Sequence, residues 1–169
     1  QGAKIFDNVV KNVIVNLSKK NKIKIIQQTH KSNIYQLKSI YDKAKIENTI
    51  FDFEENLADL INQSDLCITR AGASTLAELS IMNKPFLTIP LVSAKDNHQF
   101  ENANFYQNLG CCWIMNQKDF NDVNLEKFLN HIIMNKSEYN IKKNNLEKHN
   151  SQNSWNNINQ KILEIINEN

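Results

Sequence analysis

The stretch Ser64-Asp65-Leu66-Cys67-Ile68-Thr69-Arg70-Ala71-Gly72-Ala73-Ser74-Thr75-Leu76-Ala77-Glu78-Leu79 concentrates residues able to do chemistry. It reads as a strand, a tight glycine turn and a helix start. In an open α/β sheet the carboxyl end of a strand is where ligands bind. Small residues at Ala71, Gly72 and Ala73 let a ligand approach the backbone. The free N–H groups and positive dipole end of a helix start favour an anion such as a diphosphate. Ser74 and Thr75 add hydroxyl donors, and Glu78, one turn on, offers a carboxylate that can accept hydrogen bonds from both hydroxyls of a ribose. The same residues permit a purely structural reading, because Thr75-Leu76-Ala77-Glu78 is also a capping box that would merely start a helix.

A second segment, Ser93-Ala94-Lys95-Asp96-Asn97-His98-Gln99-Phe100-Glu101-Asn102-Ala103, follows another apolar run and so also begins at a strand's carboxyl end. Gln99 and Asn102 lie three apart on opening helical turns and therefore side by side. Their amides, each donor and acceptor, suit sugar hydroxyls, while Asp96 or Asn97 serves as helix cap. Alone this too reads as a polar helix start; two such starts from neighbouring strands make a coherent pocket.

The elements that must position these groups alternate regularly. Apolar or β-branched runs at Lys22 to Thr29, Asn48 to Phe53, Leu66 to Thr69, Pro85 to Pro90 and Cys111 to Met115 predict five strands. Between them helical periodicity predicts helices over Lys4 to Lys19, Ser32 to Lys45, Leu57 to Gln63, Ser74 to Met82, His98 to Asn108 and Val123 to Met134. From Lys136 a polar helical pattern runs through Leu146, and Trp155, Ile158, Ile162, Ile165 and Ile166 resume it. Alternation of this kind predicts an α/β fold, a doubly wound Rossmann-like parallel sheet with crossover helices. Residues 1–169 are expected to form one ligand-binding domain, with 136–169 a helical extension packing on it. A helix begins almost immediately after Gln1-Gly2-Ala3, so the first strand of the sheet is expected to be missing.

Composition bounds the function classes. At 169 residues the chain fits one domain with one sizeable core, and a formal charge of +2, spread along the chain, does not indicate a nucleic-acid partner. No run approaches the ~18 apolar residues of a membrane span and no signal-peptide pattern is present, which predicts a soluble, intracellular chain. Three cysteines, two of them adjacent (Cys111 and Cys112), suit neither a disulfide framework nor a metal clamp and are expected to be small core residues in a reducing compartment. Abundant Asn, Lys and Ile beside three Gly and two Pro suggest AT-rich coding DNA.

Gly72-Ala73-Ser74-Thr75-Leu76-Ala77-Glu78 followed by Asp96-Asn97-His98-Gln99-Phe100-Glu101-Asn102-Ala103 resembles the C-terminal domain of glycosyltransferase family 28, in its members that transfer N-acetylglucosamine from UDP to an undecaprenyl-linked muramyl pentapeptide. Gln1-Gly2-Ala3 resembles the tail of that family's Gly-Gly-Ser-Gln-Gly-Ala loop, and the similarity runs nearly the whole length of the chain. The resemblance implies the C-terminal, donor-binding half of a two-domain (GT-B type) inverting enzyme of peptidoglycan synthesis, active in cell division and cell shape. It implies that Ala73, Ser74 and Thr75 meet the diphosphate, that Glu78 holds the ribose, and that Gln99 and Asn102, with His98 close by, bind the N-acetylglucosamine ring. Phe53 and Glu54 would lie near the uracil and Gln1 near the phosphates. No cofactor and no metal are implied. The general base, the lipid-linked acceptor and the membrane-contacting patch at the cytoplasmic face of the inner membrane belong to the N-terminal domain, which has no counterpart here, so this chain alone is expected to be inactive. The rivals are the donor subunit of another split UDP-N-acetylglucosamine transferase, an enzyme of the UDP-N-acetylglucosamine 2-epimerase kind, and a binding module that never catalyses.

Other residues invite weaker readings. Arg70 could neutralise phosphate or pair with a carboxylate, and His30 could line a cleft or be an ordinary loop histidine. His131 and His149 are expected on solvated helical faces, and Trp113 and Trp155 in packing roles. Glu54 and Glu55 face no second acidic cluster, so a glycosidase-style carboxylate pair is not indicated, and the metal-holding Asp-x-Asp motif is absent.

Overall fold

A computed structural model describes residues 2–91 and 97–153 of the chain. Five strands alternate with helices: α1 (Gly2–Leu17), β1 (Lys24–Gln28), α2 (Ile34–Lys43), β2 (Glu47–Phe51), α3 (Leu57–Asn62), β3 (Cys67–Thr69), α4 (Ala73–Ile81), β4 (Phe86–Thr88), α5 (His98–Asn108), β5 (Cys112–Ile114), α6 (Asp122–Met134) and α7 (Lys136–Gln152). Every strand pairing is parallel. The expected α/β architecture is thus observed, with helices as the crossovers that parallel pairing requires. The chain divides into two compact units, one of residues 1–64 and 115–136, the other of 65–114 and 137–169.

In the first unit β1 pairs with β2, from Lys24 opposite Glu47 to Gln28 opposite Phe51. Val9, Val13 and Leu17 recur every four residues along α1, so one stripe is buried, joined by Val10 and Ile14 and met by Leu125, Leu129 and Ile132 of α6. Phe6 packs on Phe120 with ring centroids 4.9 Å apart. Asp7 lies almost fully buried and accepts three hydrogen bonds, from Gln27 Nε2 (2.9 Å), Thr29 Oγ1 (2.7 Å) and Asn33 Nδ2 (3.0 Å). Tyr41 extends the network by donating to Gln27 Oε1 at 2.7 Å, and its burial beside the Asp7 carboxylate pushes its hydroxyl pKa up.

In the second unit the strand order is β3-β4-β5, with Thr69 opposite Thr88 and Thr88 opposite Ile114. Leu76, Leu79, Phe86, Leu87, Ile89 and Ala103 form its core. The polar helix α7 is fixed to this unit mainly by hydrogen bonds: Trp113 Nε1 donates to Glu138 Oε1 (2.6 Å), Tyr139 Oη to the Asp65 carbonyl (2.9 Å), and Asn145 Nδ2 to the Gly110 carbonyl (3.1 Å). Asn150 Nδ2 reaches the Ser80 carbonyl at the end of α4 (2.6 Å), and Leu146 is its one fully buried apolar anchor. The helical pattern from Trp155 onward lies outside the described residues.

Two expectations are corrected. Cys111 and Cys112 are buried free thiols as expected, but Cys67 is only half-buried. His149 is half-buried, not fully solvated: its ring lies against Phe105 and Tyr106 of α5, with centroids 5.9 and 6.2 Å away. Trp113 has the expected packing role: half-buried, it meets helix α7 through Glu138 and through Lys142, 5.5 Å over its ring.

Candidate nucleotide-sugar site

β3 and β4 are neighbours, so the turns that leave their carboxyl ends are neighbours too; the last ladder bond, from Ile89 N–H to the Thr69 carbonyl, is 2.8 Å long. After β3 the chain passes through Arg70 and Ala71 to Gly72, which occupies the N-cap of α4 with φ −68° and ψ 134°. Any residue can hold that conformation. What Gly72 gives is open space, since a Cβ there would meet its nearest neighbour, Thr75 Oγ1, only at 3.7 Å. Ala73, Ser74 and Thr75 are therefore the first three helical residues, and Leu76 N–H makes the first intrahelical bond, to the Gly72 carbonyl at 3.0 Å. The N–H groups of Ala73, Ser74 and Thr75 have no acceptor within the helix. Ala73, Ser74 and Glu78 are exposed and Thr75 is half-buried.

This geometry decides against the capping-box reading of Thr75 and Glu78. The N-cap is three residues earlier, no side chain caps α4, and Thr75 and Glu78 both lie inside the helix. The first turn carries no acidic residue, so the positive dipole end is not offset by a local carboxylate.

After β4 the chain reaches Leu91, and α5 begins at His98 with Asn97 at the N-cap, though the Asn97 side chain makes no capping bond; Asp96 lies outside the described residues. His98 is exposed at the first helical position. Gln99 and Asn102 do stand together, and both already touch main chain: Gln99 Oε1 accepts from Leu91 N–H at 2.8 Å, and Asn102 Nδ2 donates to the Ala71 carbonyl at 3.0 Å. Each amide keeps its other polar atom for further partners. Arg70 lies between the two turns, donating through Nη1 to the Ile89 carbonyl at 3.0 Å, and partial burial lowers its pKa.

Phe53 and Glu54 belong to the first unit, just past β2. Both are exposed; Phe53 N–H donates to Asp52 Oδ1 (2.9 Å) and Glu54 Oε1 accepts from Asn56 N–H (3.1 Å). Gln1 lies outside the described residues. His30 precedes a short 3₁₀ turn and its Nδ1 accepts from Ser32 N–H, a local loop role. Among the described residues no three His, Cys, Asp or Glu side chains gather as a cation site. Nothing in the spacing of the sequence marks Asp7 or the interlocking of Arg70 with Ile89, since both depend on which turns the sheet brings together.

A parallel α/β fold whose adjacent strand ends carry an uncapped helix start and paired amides has the chemistry to suit anions and hydroxyl groups, and residues 1–161 match the model of the glycosyltransferase family 28 C-terminal domain. The chain belongs to that family. It is 52% identical over 169 residues to the UDP-N-acetylglucosamine--N-acetylmuramyl-(pentapeptide) pyrophosphoryl-undecaprenol N-acetylglucosamine transferase of Pelagibacter ubique (strain HTCC1062), with all of this chain and 48% of that protein covered. The protein of the same name from Rickettsia bellii (strain RML369-C) is 36% identical over 138 residues, covering 80% of this chain and 39% of its own length. The chain thus spans about half the length of the curated relatives it matches. Among solved structures it is similar in fold to MurG of Acinetobacter baumannii, with a TM-score of 0.74 and 23% identity over 86% of this chain and 42% of that one.

Proposed function

We propose that this chain is the donor-binding domain of an inverting glycosyltransferase that moves N-acetylglucosamine from UDP-N-acetylglucosamine to a lipid-linked muramyl pentapeptide in peptidoglycan synthesis. The observation that carries the reading is the start of α4 at Ala73, uncapped by any side chain, at the carboxyl end of β3. Family membership and the shared activity in the names of the relatives support it from a second direction.

In this reading the N–H groups of Ala73, Ser74 and Thr75 receive the diphosphate, with the Thr75 hydroxyl adding a donor. Glu78, one turn along, accepts from the ribose hydroxyls. Gln99 and Asn102 turn their remaining amide atoms to the sugar, with His98 beside them. The acceptor hydroxyl attacks the anomeric carbon, a base outside this chain takes its proton, and UDP departs. The negative charge that grows on the departing diphosphate meets the fixed dipoles of the α4 start, which need no reorganisation at the moment of reaction. The acceptor and its membrane belong to a partner domain at the cytoplasmic face of the inner membrane. Among the described residues no helix is long and apolar enough to cross a membrane.

Calorimetric titration with UDP-N-acetylglucosamine, UDP-glucose and ADP-glucose tests the assignment. The first ligand should bind tightest, and Glu78→Ala should weaken it about 10- to 100-fold, the loss expected when a hydrogen bond to a charged group is removed. Tighter binding of ADP-glucose, or a Glu78→Ala variant with unchanged affinity, would count against the donor site.

A further inference from the structure

The two ligand-facing turns exchange side chains. From the β3 turn, Arg70 donates to the Ile89 carbonyl of the β4 turn at 3.0 Å; from the helix that follows the β4 turn, Asn102 donates to the Ala71 carbonyl of the β3 turn at 3.0 Å. Both acceptors belong to fully buried residues, Ala71 and Ile89, where a carbonyl deprived of its partner loses water as well. Gln99, one helical turn before Asn102, ties the same helix to Leu91 N–H at 2.8 Å. Helix α5 therefore holds one turn with each amide, which gives the i, i+3 spacing of Gln99 and Asn102 a use before any ligand arrives.

The position of the Asn102 contact matters. Ala71 immediately precedes Gly72, the N-cap of α4, so pinning the Ala71 carbonyl fixes the direction from which the chain enters the helix. That direction sets where the N–H groups of Ala73, Ser74 and Thr75 point. We propose that Arg70 and Asn102 are positioning residues, a reciprocal brace between the β3 and β4 turns that aims the α4 start at the diphosphate of a nucleotide. This rests on the donor-site reading above and deepens it: Asn102 acts on the phosphates through the backbone, besides any contact with the sugar.

The two roles of Asn102 separate with UDP, which has the diphosphate and no sugar. Asn102→Asp keeps an acceptor for sugar hydroxyls but cannot donate to Ala71, and Arg70→Lys keeps the positive charge while losing the planar fork. The brace predicts that each variant weakens UDP and UDP-N-acetylglucosamine by the same factor, about tenfold. Unchanged UDP affinity in Asn102→Asp, with loss confined to the sugar nucleotide, would overturn it and make the amide a sugar contact alone. Amide hydrogen exchange in the ligand-free chain gives a readout independent of nucleotide binding. The brace predicts faster exchange at Leu76, whose N–H bonds the Gly72 carbonyl, while Leu87 and Ile89 in and beside the central strand keep wild-type protection. Wild-type exchange at Leu76 in both variants would refute the brace, whereas failure of the unmodified chain to bind either nucleotide would refute the donor-site reading and leave the exchange result to decide the brace.

Discussion

Asp7 shows what a single residue can hold. Its buried carboxylate satisfies three donors, from Gln27, Thr29 and Asn33, that converge from β1 and the turn after it. Replacing Asp7 with Ala leaves those donors facing one another without an acceptor, and the expected loss is about 2–4 kcal/mol by urea denaturation. A loss under about 0.5 kcal/mol, the scale of an ordinary surface substitution, would show that the network is dispensable. The sequence hides such a residue, because Asp7 sits between apolar positions of α1 and reads as part of its polar face. Glu78 and Thr75 present the opposite case. Their types and spacing were visible at once, but the capping-box alternative could be removed only by seeing that α4 begins at Ala73 with Gly72 as N-cap. Residue chemistry and a helix start near Ser74 were legible; which residue caps the helix, on which the meaning of Thr75 and Glu78 turns, was not.

The helices of this chain end in a recurring way. After α2, α4 and α5 the chain turns through one residue of positive φ and enters the next strand: Lys45 (58°), Asn83 (53°) and Gly110 (69°). In each, that residue's N–H bonds the carbonyl three back and the next N–H the carbonyl five back, as in Lys45 to Asp42 and Ile46 to Tyr41. Glycine suits this conformation best, and at Gly110 an added Cβ would also come within 2.6 Å of Asn145 Nδ2. Asn tolerates it, whereas Lys pays roughly 1 kcal/mol. Lys45→Gly should accordingly raise stability by about 0.5–1 kcal/mol, seen as a higher thermal midpoint; a lower midpoint would show that the Lys45 side chain contributes more than the strain removes. These endings explain which boundaries the sequence displayed. All five strands and the six helices between and around them were legible from apolar runs and helical period, and α5 was placed at its observed limits, His98–Asn108. The ends of α2 and α4 were also legible to within two residues, but the positive φ at Lys45 and Asn83 was not, because with only three glycines the usual marker of such a turn is missing.

Across the whole chain, buried acids of the thiol and phenol type set a common pH response. Burial pushes the Cys112 thiol from its ordinary 9.0 to about 12, and the same cause raises Cys111, Tyr106 and Tyr139. Below about pH 9 both folded and unfolded chains keep the Cys112 proton; between about 9 and 12 the unfolded chain loses it and the folded chain does not, so stability falls as pH rises through that window. Urea midpoints should drop across it, with a shallower slope in Cys112→Ala, and a flat profile would contradict the burial of these groups. Neither unit depends on a disulfide, since all three cysteines are free. The chain belongs to glycosyltransferase family 28 and spans about half the length of its curated relatives, so the proposed donor site is the part of the function to test on it. The most direct measurement is a titration of this chain with UDP-N-acetylglucosamine followed at individual backbone amides by NMR. The account predicts the largest shifts at Ala73, Ser74 and Thr75, saturating together with those of Glu78. Saturable binding that leaves these four amides unmoved would contradict it.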